Sequence, residues 1–166
     1  MYTQTKFISK KDAEKVFDCL GSQRVLISIK TPNTSSPKLH PESWEKVLSL
    51  EFHDADPSAK NLKSGKRLFS DDDAIKILKF LKKHEDDHVR TTAICHCEAG
   101  ISRSAAVSKF IARIYLLPFQ DSYSLYNKHV FSTLLQVYGR CCCGDGEIEP
   151  DYLPGYSPLN LQKVTS

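Results

Sequence analysis

The chain reads as an α/β protein, with a central, mostly parallel β-sheet flanked by helices in a compact fold. Three observations carry that reading. Short β-prone apolar runs alternate with helical patterns along the sequence. Polar loops separate the runs, residues 31–43 and 53–67 among them. A strand pattern, a tight loop and a helix start follow one another across residues 91–104. Open α/β sheets bind their ligands at such junctions.

The elements follow in order. Residues 9–20 read as a short amphipathic helix, capped by Ser9 and ended by Gly21. Residues 24–29 (Val25-Leu26-Ile27-Ser28-Ile29 after Arg24) are a buried strand. Residues 31–43 hold Pro32, Pro37 and Pro41 and form a loop. Residues 47–52 read as a second strand, and a polar loop runs from His53 to Arg67. The clearest helix spans residues 70–83. Ser70 caps it, Asp71, Asp72 and Asp73 complement its positive end, and Lys82 and Lys83 sit at its negative end. A strand at 91–95 leads through the loop to a helix at 103–117, which Pro118 stops. A last helix is expected over 121–138, with Tyr126-Asn127 read as packing and Trp44 as a core or loop anchor. A single domain is expected to span 1–144, and 145–166 to form a proline-containing tail.

Composition bounds the function. A chain of 166 residues, 40% hydrophobic and 26% charged, can bury one core. A net charge of +3 argues for neither nucleic acid nor a membrane as partner. No apolar run approaches the ~20 residues of a membrane span, and residues 1–7 lack the apolar stretch of a secretory signal. The six cysteines form no secreted disulfide framework, so a reducing, cytoplasmic setting and a monomer are expected. Cys141-Cys142-Cys143 reads as a cysteine-rich helix end, since adjacent cysteines cannot readily converge on one zinc.

The loop carries the chemistry. In Cys97-Glu98-Ala99-Gly100-Ile101-Ser102-Arg103-Ser104, a cysteine and an arginine stand six positions apart, with a glycine midway. Amides at a helix start have no intrahelical partners and sit in a positive field. A five-residue loop curled over that end can aim several N–H groups at one dianion. Gly100 permits a backbone turn closed to other residues. Arg103 offers a planar fork for two phosphate oxygens. The same field favours thiolate at Cys97, and Ser104 can donate to its sulfur. His96 is expected to fix the loop rather than act as a base. Cys95, two positions before Cys97 on a strand, is expected in the core, with a Cys95–Cys97 disulfide under oxidation as a minor expectation.

The segment His96-Cys97-Glu98-Ala99-Gly100-Ile101-Ser102-Arg103-Ser104 resembles the signature of the cysteine-dependent protein tyrosine phosphatases, His-Cys-x5-Arg-Ser/Thr, in its dual-specificity wording. The resemblance is tight over residues 91–117 and looser over 46–140. It implies the compact phosphatase fold and a phosphoenzyme mechanism without metal or cofactor. Cys97 would be the nucleophile, residues 98–103 the phosphate cradle, and His96 and Ser104 the supporting residues. The leaving alkoxide or phenoxide needs a proton. In the resembled family the acid lies on a loop upstream of the signature, which matches Phe52-His53-Asp54-Ala55-Asp56. Asp54 is preferred because it follows the strand most closely, Asp56 is the alternative, and His53 can assist positioning.

The loop has no lysine, which argues against highly anionic inositol substrates. Phosphotyrosine in a protein or peptide is expected, with phosphoserine/threonine as a second class. Glu98 at the rim should disfavour acidic flanking residues. The rival readings are an RNA 5′-triphosphatase of the same superfamily and a non-catalytic phosphate-binding module. An arsenate reductase fits poorly, because the loop stands at position 97 rather than near the N-terminus.

Overall fold

The computed structural model describes residues 1–16, 23–58, 64–85 and 88–143. Its strands are β1 (Tyr2–Ser9), β2 (Gln23–Lys30), β3 (Lys46–Glu51) and β4 (Thr91–Cys97). They form a four-stranded, all-parallel sheet in the order β1-β4-β2-β3. The helices are α1 (Lys10–Ala13), α2 (Asp71–Lys83), α3 (Arg103–Ile114) and α4 (Lys128–Cys142). Among the described residues, no helix is long and apolar enough to cross a membrane.

Alternation along the strands assigns the two faces. Val25, Ile27 and Ile29 on β2 and Ala93, Cys95 and Cys97 on β4 face the main core, which α2, α3 and α4 complete. Leu26 and Ile94 point the other way, into a smaller cluster with Trp44. Registers Leu26↔Ile94 and Ser28↔His96 keep those sets aligned. β4 is paired on both sides and buried on both faces, with only Thr92 partly exposed.

The structure corrects several expected boundaries. β1 was not foreseen: residues 2–9 hold no apolar run, only Thr, Tyr, Phe and Ile scattered along an edge strand. The strand pairs with β4 through Phe7↔Cys95 and Ser9↔Cys97. The helix expected at 9–20 is a single turn, Lys10–Ala13, capped by Ser9, whose side chain accepts from the Asp12 amide. Residues 17–20 and Gly21 lie outside the described residues, as does the tail 145–166.

β4 runs to Cys97 rather than stopping at Cys95, because β1 supplies a partner for its last two residues. α3 ends at Ile114, three residues early. Leu116 takes φ 54° there, and the Leu117 amide reaches back to the Ala112 carbonyl. Pro118 also disfavours helical geometry at Leu117. α4 starts at Lys128, not 121. The Asn127 side chain caps it by accepting from the Val130 amide at 3.0 Å. Tyr123 and Tyr126 therefore belong to an irregular segment, although their spacing looked helical.

Candidate functional site

The site forms where the C-terminal end of β4 meets the N-terminus of α3. Cys97 is the last residue of β4 and only 2% exposed. Its Sγ lies 3.1 Å from Ser104 Oγ. Burial pushes the thiol's pKa up. Hydrogen bonds from the Ser104 side chain and amide and from the Ile101 amide, with the Arg103 charge, outweigh it and hold the pKa below the ordinary cysteine value.

The end of α3 is prepared for an anion in a way that α2 is not. α2 fills its own N-terminus: the Ser70 hydroxyl and Asp73 form a reciprocal capping box, behind Asp71 and Asp72. The N-terminus of α3 has no side-chain cap and no acidic residue in its first turn. Ser102, at the cap position, turns its hydroxyl instead to Asp54 Oδ1 at 2.8 Å. The field and free amides of that helix end are left for a ligand.

Arg103 is 4% exposed. Its Nη1 donates to the Phe52 carbonyl at 2.7 Å, and the guanidinium lies 5.9 Å from the Phe52 ring centroid. The buried Nε has no hydrogen-bond partner, and the nearest carboxylate oxygen, Asp54 Oδ2, is 4.0 Å away. A buried guanidinium N–H left unpaired is costly unless a ligand meets it.

Gly100 shapes the loop. Its φ is 67°, and an added Cβ would collide with Ser9 N and the Ile8 carbonyl group of β1. Only glycine gives both the left-handed turn and that close approach. The Lys10 amide also reaches the Glu98 carbonyl at 3.4 Å. Glu98, Ala99 and Ile101 line the exposed rim, with Ser102 partly buried.

His96 faces away from Cys97, as alternation requires. Its Nε2 meets Ser28 Oγ on β2 at 2.8 Å, and it is 1% exposed. Burial pushes its pKa down, with the Cys97 backbone partly opposing. A neutral, strand-bridging imidazole fits a structural role. Cys95 is buried, and burial, then Cys97, push its thiol up. Two residues of extended strand separate equivalent side chains by ~6.6 Å, against ~3.5–4.5 Å between the Cβ atoms of a disulfide. The intact strand therefore holds Cys95 and Cys97 too far apart to bridge.

The two candidate acids separate clearly. Asp54 stands over the loop, touching Ser102, Asn127 and, at longer range, Arg103. Asp56 turns back on its own loop, where Oδ1 accepts from the Ser58 amide at 2.8 Å and the Ser58 hydroxyl at 2.7 Å. The Ser58 side-chain and backbone hydrogen bonds hold its pKa down, which suits an ionised turn residue and not a proton donor.

Sequence reasoning gave His53 a positioning role but missed the contacts that tie this site together. His53 is clamped to Arg67: its amide donates to the Arg67 carbonyl at 2.8 Å, and the Arg67 amide donates to its Nδ1 at 3.1 Å. Arg67 donates to the Glu51 carbonyl and forks onto buried Asp73 at 2.7 and 3.0 Å. The loop that carries Asp54 thus hangs from the start of α2. Asp73, expected only to complement the helix dipole, is the anchor.

On the far side, Tyr123 Oη donates to the Ile101 carbonyl at 2.7 Å and packs on Phe7. Asn127 donates through its backbone to the Ser102 carbonyl and through Nδ2 to Asp54. Lys109 Nζ pins the segment carrying both, 4.1 Å from the Tyr126 ring centroid and 5.6 and 5.8 Å from those of Phe131 and Phe119. An asparagine ahead of an apolar helical run is a cap signal, and that signal was available at Asn127.

Among the described residues, no group of three His, Cys, Asp or Glu side chains is placed to hold a metal. The described cysteines are free. Cys141 is buried, Cys142 is half-buried, and Cys143, at the C-terminal end of α4, is exposed. No family model, curated protein or solved structure matches the chain.

Proposed function

We propose that this protein hydrolyses phosphomonoesters through a cysteinyl-phosphate, as a phosphatase of the cysteine-dependent protein tyrosine class, with phosphotyrosine in proteins or peptides as its main substrate. The observation that carries the reading is the uncapped, acid-free N-terminus of α3, with the unpaired buried Nε of Arg103, directly beside a thiol held below its ordinary pKa.

In the first step, Cys97 Sγ attacks phosphorus in line with the ester oxygen. The P–O bond breaks as the S–P bond forms, and Asp54 gives its proton to the leaving oxygen. In the second step, water attacks phosphorus while Asp54, now a carboxylate, takes a proton from it. The S–P bond breaks, and Ser104 stabilises the departing thiolate. The amides of residues 98–103 and the Arg103 guanidinium hold the equatorial oxygens throughout.

The reading needs no metal, since these groups supply the positive charge. The absence of lysine from the loop and the aromatic Tyr123 beside it favour an aryl phosphate. A nucleophilic thiolate also favours a reducing, cytoplasmic compartment.

The test is 4-nitrophenyl phosphate hydrolysis by reduced protein with EDTA present. Wild type should turn over, and Cys97→Ser should not, while still binding inorganic phosphate. Hydrolysis retained in Cys97→Ser would refute the nucleophile. Phosphate binding without turnover in wild type would instead support a non-catalytic binding module.

A further inference from the structure

We infer that Asn127 is a positioning residue that decides which oxygen of Asp54 carries the catalytic proton. The inference rests on the phosphatase reading above and deepens it.

The amide of Asn127 is 9% exposed and cannot be turned over. Its Oδ1 accepts from the Val130 amide at 3.0 Å, as the cap of α4. A flipped amide would set an N–H against that N–H. Nδ2 therefore faces Asp54 Oδ1, at 2.7 Å, and it can only donate. The Ser102 hydroxyl donates to the same oxygen at 2.8 Å. A proton on Oδ1 would point into a donor and lose that bond. The proton of the acid form therefore sits on Oδ2, the oxygen on the Arg103 side, 4.0 Å from Nε.

Asn127 also donates its backbone amide to the Ser102 carbonyl at 3.1 Å. The acid loop, the phosphate loop and α4 close into one ring of contacts through this residue. The acid is held over the cradle with its reactive oxygen already selected, which is the preorganisation that proton transfer rewards.

Leaving-group dependence provides the test. Phenyl phosphate needs the acid, because phenoxide is a poor leaving group. 2,4-Dinitrophenyl phosphate needs it far less. The readout is the ratio of kcat/KM for the dinitrophenyl ester to that for the phenyl ester. Asn127→Ser keeps a capping side chain for α4 but lacks the reach to Asp54. Asn127→Asp also keeps a cap and sets a carboxylate against Asp54.

Both substitutions should raise the ratio, by about 10- to 100-fold, as expected for a misplaced general acid. Neither should raise it further in an Asp54→Asn background, because each acts through Asp54. Inhibition by inorganic phosphate should stay within the same range, which a collapsed cradle would not allow.

A parallel fall on both esters with an unchanged ratio, in a wild type that is active and sensitive to Asp54→Asn, overturns this inference and leaves the phosphatase reading standing. So does a further rise of the ratio in the Asp54→Asn background. Failure of reduced wild type to hydrolyse either ester brings down the phosphatase reading and this inference with it.

Discussion

Replacing Gly100 by alanine tests whether strand β1 is the surface against which the loop between β4 and α3 is moulded. At φ 67° the backbone is left-handed, which costs a residue with a Cβ about 1–2 kcal/mol. The added methyl group would also press on Ser9 N and the Ile8 carbonyl, lying 2.7 Å from Ile8 O. Those atoms belong to a strand registered with β4 at Ile8↔His96 and Ser9↔Cys97, so they cannot withdraw without breaking the ladder. Overpacking of this kind adds about 1–3 kcal/mol.

The combined cost is about 2–5 kcal/mol, a large share of the ~5–15 kcal/mol that holds a domain folded. For a chain of 166 residues, the middle of that range lowers Tm by roughly 7–14 °C. Two other glycines calibrate the result. Gly65 has φ 86° and open space around it, so Gly65→Ala should cost only the backbone term, about 1–2 kcal/mol. Gly139 sits inside α4 with nothing within 4 Å of an added Cβ. Gly139→Ala should stabilise by about 0.5–1 kcal/mol. Urea unfolding of the reduced variants, with m-values compared, gives the series. A Gly100→Ala midpoint equal to that of wild type, or less damaged than Gly65→Ala, would refute the argument that β1 moulds the loop.

Other substitutions probe the chemistry and the anchoring. Asp54→Asn should lower kcat/KM for phenyl phosphate by about 10²–10⁴-fold, and Asp56→Asn should have little effect; equal losses in steady-state kinetics would undo the assignment of the acid. The Ser104 hydrogen bond lowers the Cys97 pKa, so Ser104→Ala should raise it. The thiolate then appears only at higher pH, and the acidic limb of iodoacetamide inactivation should move upward; a limb that stays put would mean that Ser104 does not stabilise the thiolate. Ser70→Ala removes the capping box of α2 and should cost about 0.5–2 kcal/mol by urea unfolding; an unchanged midpoint would show that Asp73 and Arg67 hold the helix end alone.

Local sequence order explains what could be read in advance. Cys97, Gly100, Arg103 and Ser104 lie within eight residues, so the β4–loop–α3 junction and its chemistry are written in one stretch. Asp54 could be singled out as the candidate acid because the resemblance puts that group on a loop after a strand, and β3 ends at Glu51. The rest depends on long-range contacts that no local pattern encodes. Nothing near Gly100 announces that its missing side chain leaves room for Ser9. The helical spacing of Tyr123 and Tyr126 belongs to a segment whose conformation is set elsewhere, by the rings around Lys109 and by the Asn127 cap. β1 was missed because an edge strand with polar positions lacks the apolar run that marked β2 and β4.

The dependence of the loop on β1 also bears on how the protein is made. Among the described residues β1 pairs only with β4, some ninety residues later in the chain. At about 5–20 residues per second of synthesis, β1 waits several seconds for its partner. Until the two strands meet, Gly100 has nothing to fold against, and the amides that would lower the Cys97 pKa have no fixed direction. A nascent or partly unfolded chain would therefore carry an ordinary, sluggish thiol. The lowered pKa of Cys97 is thus a property of the closed sheet and not of the local sequence alone.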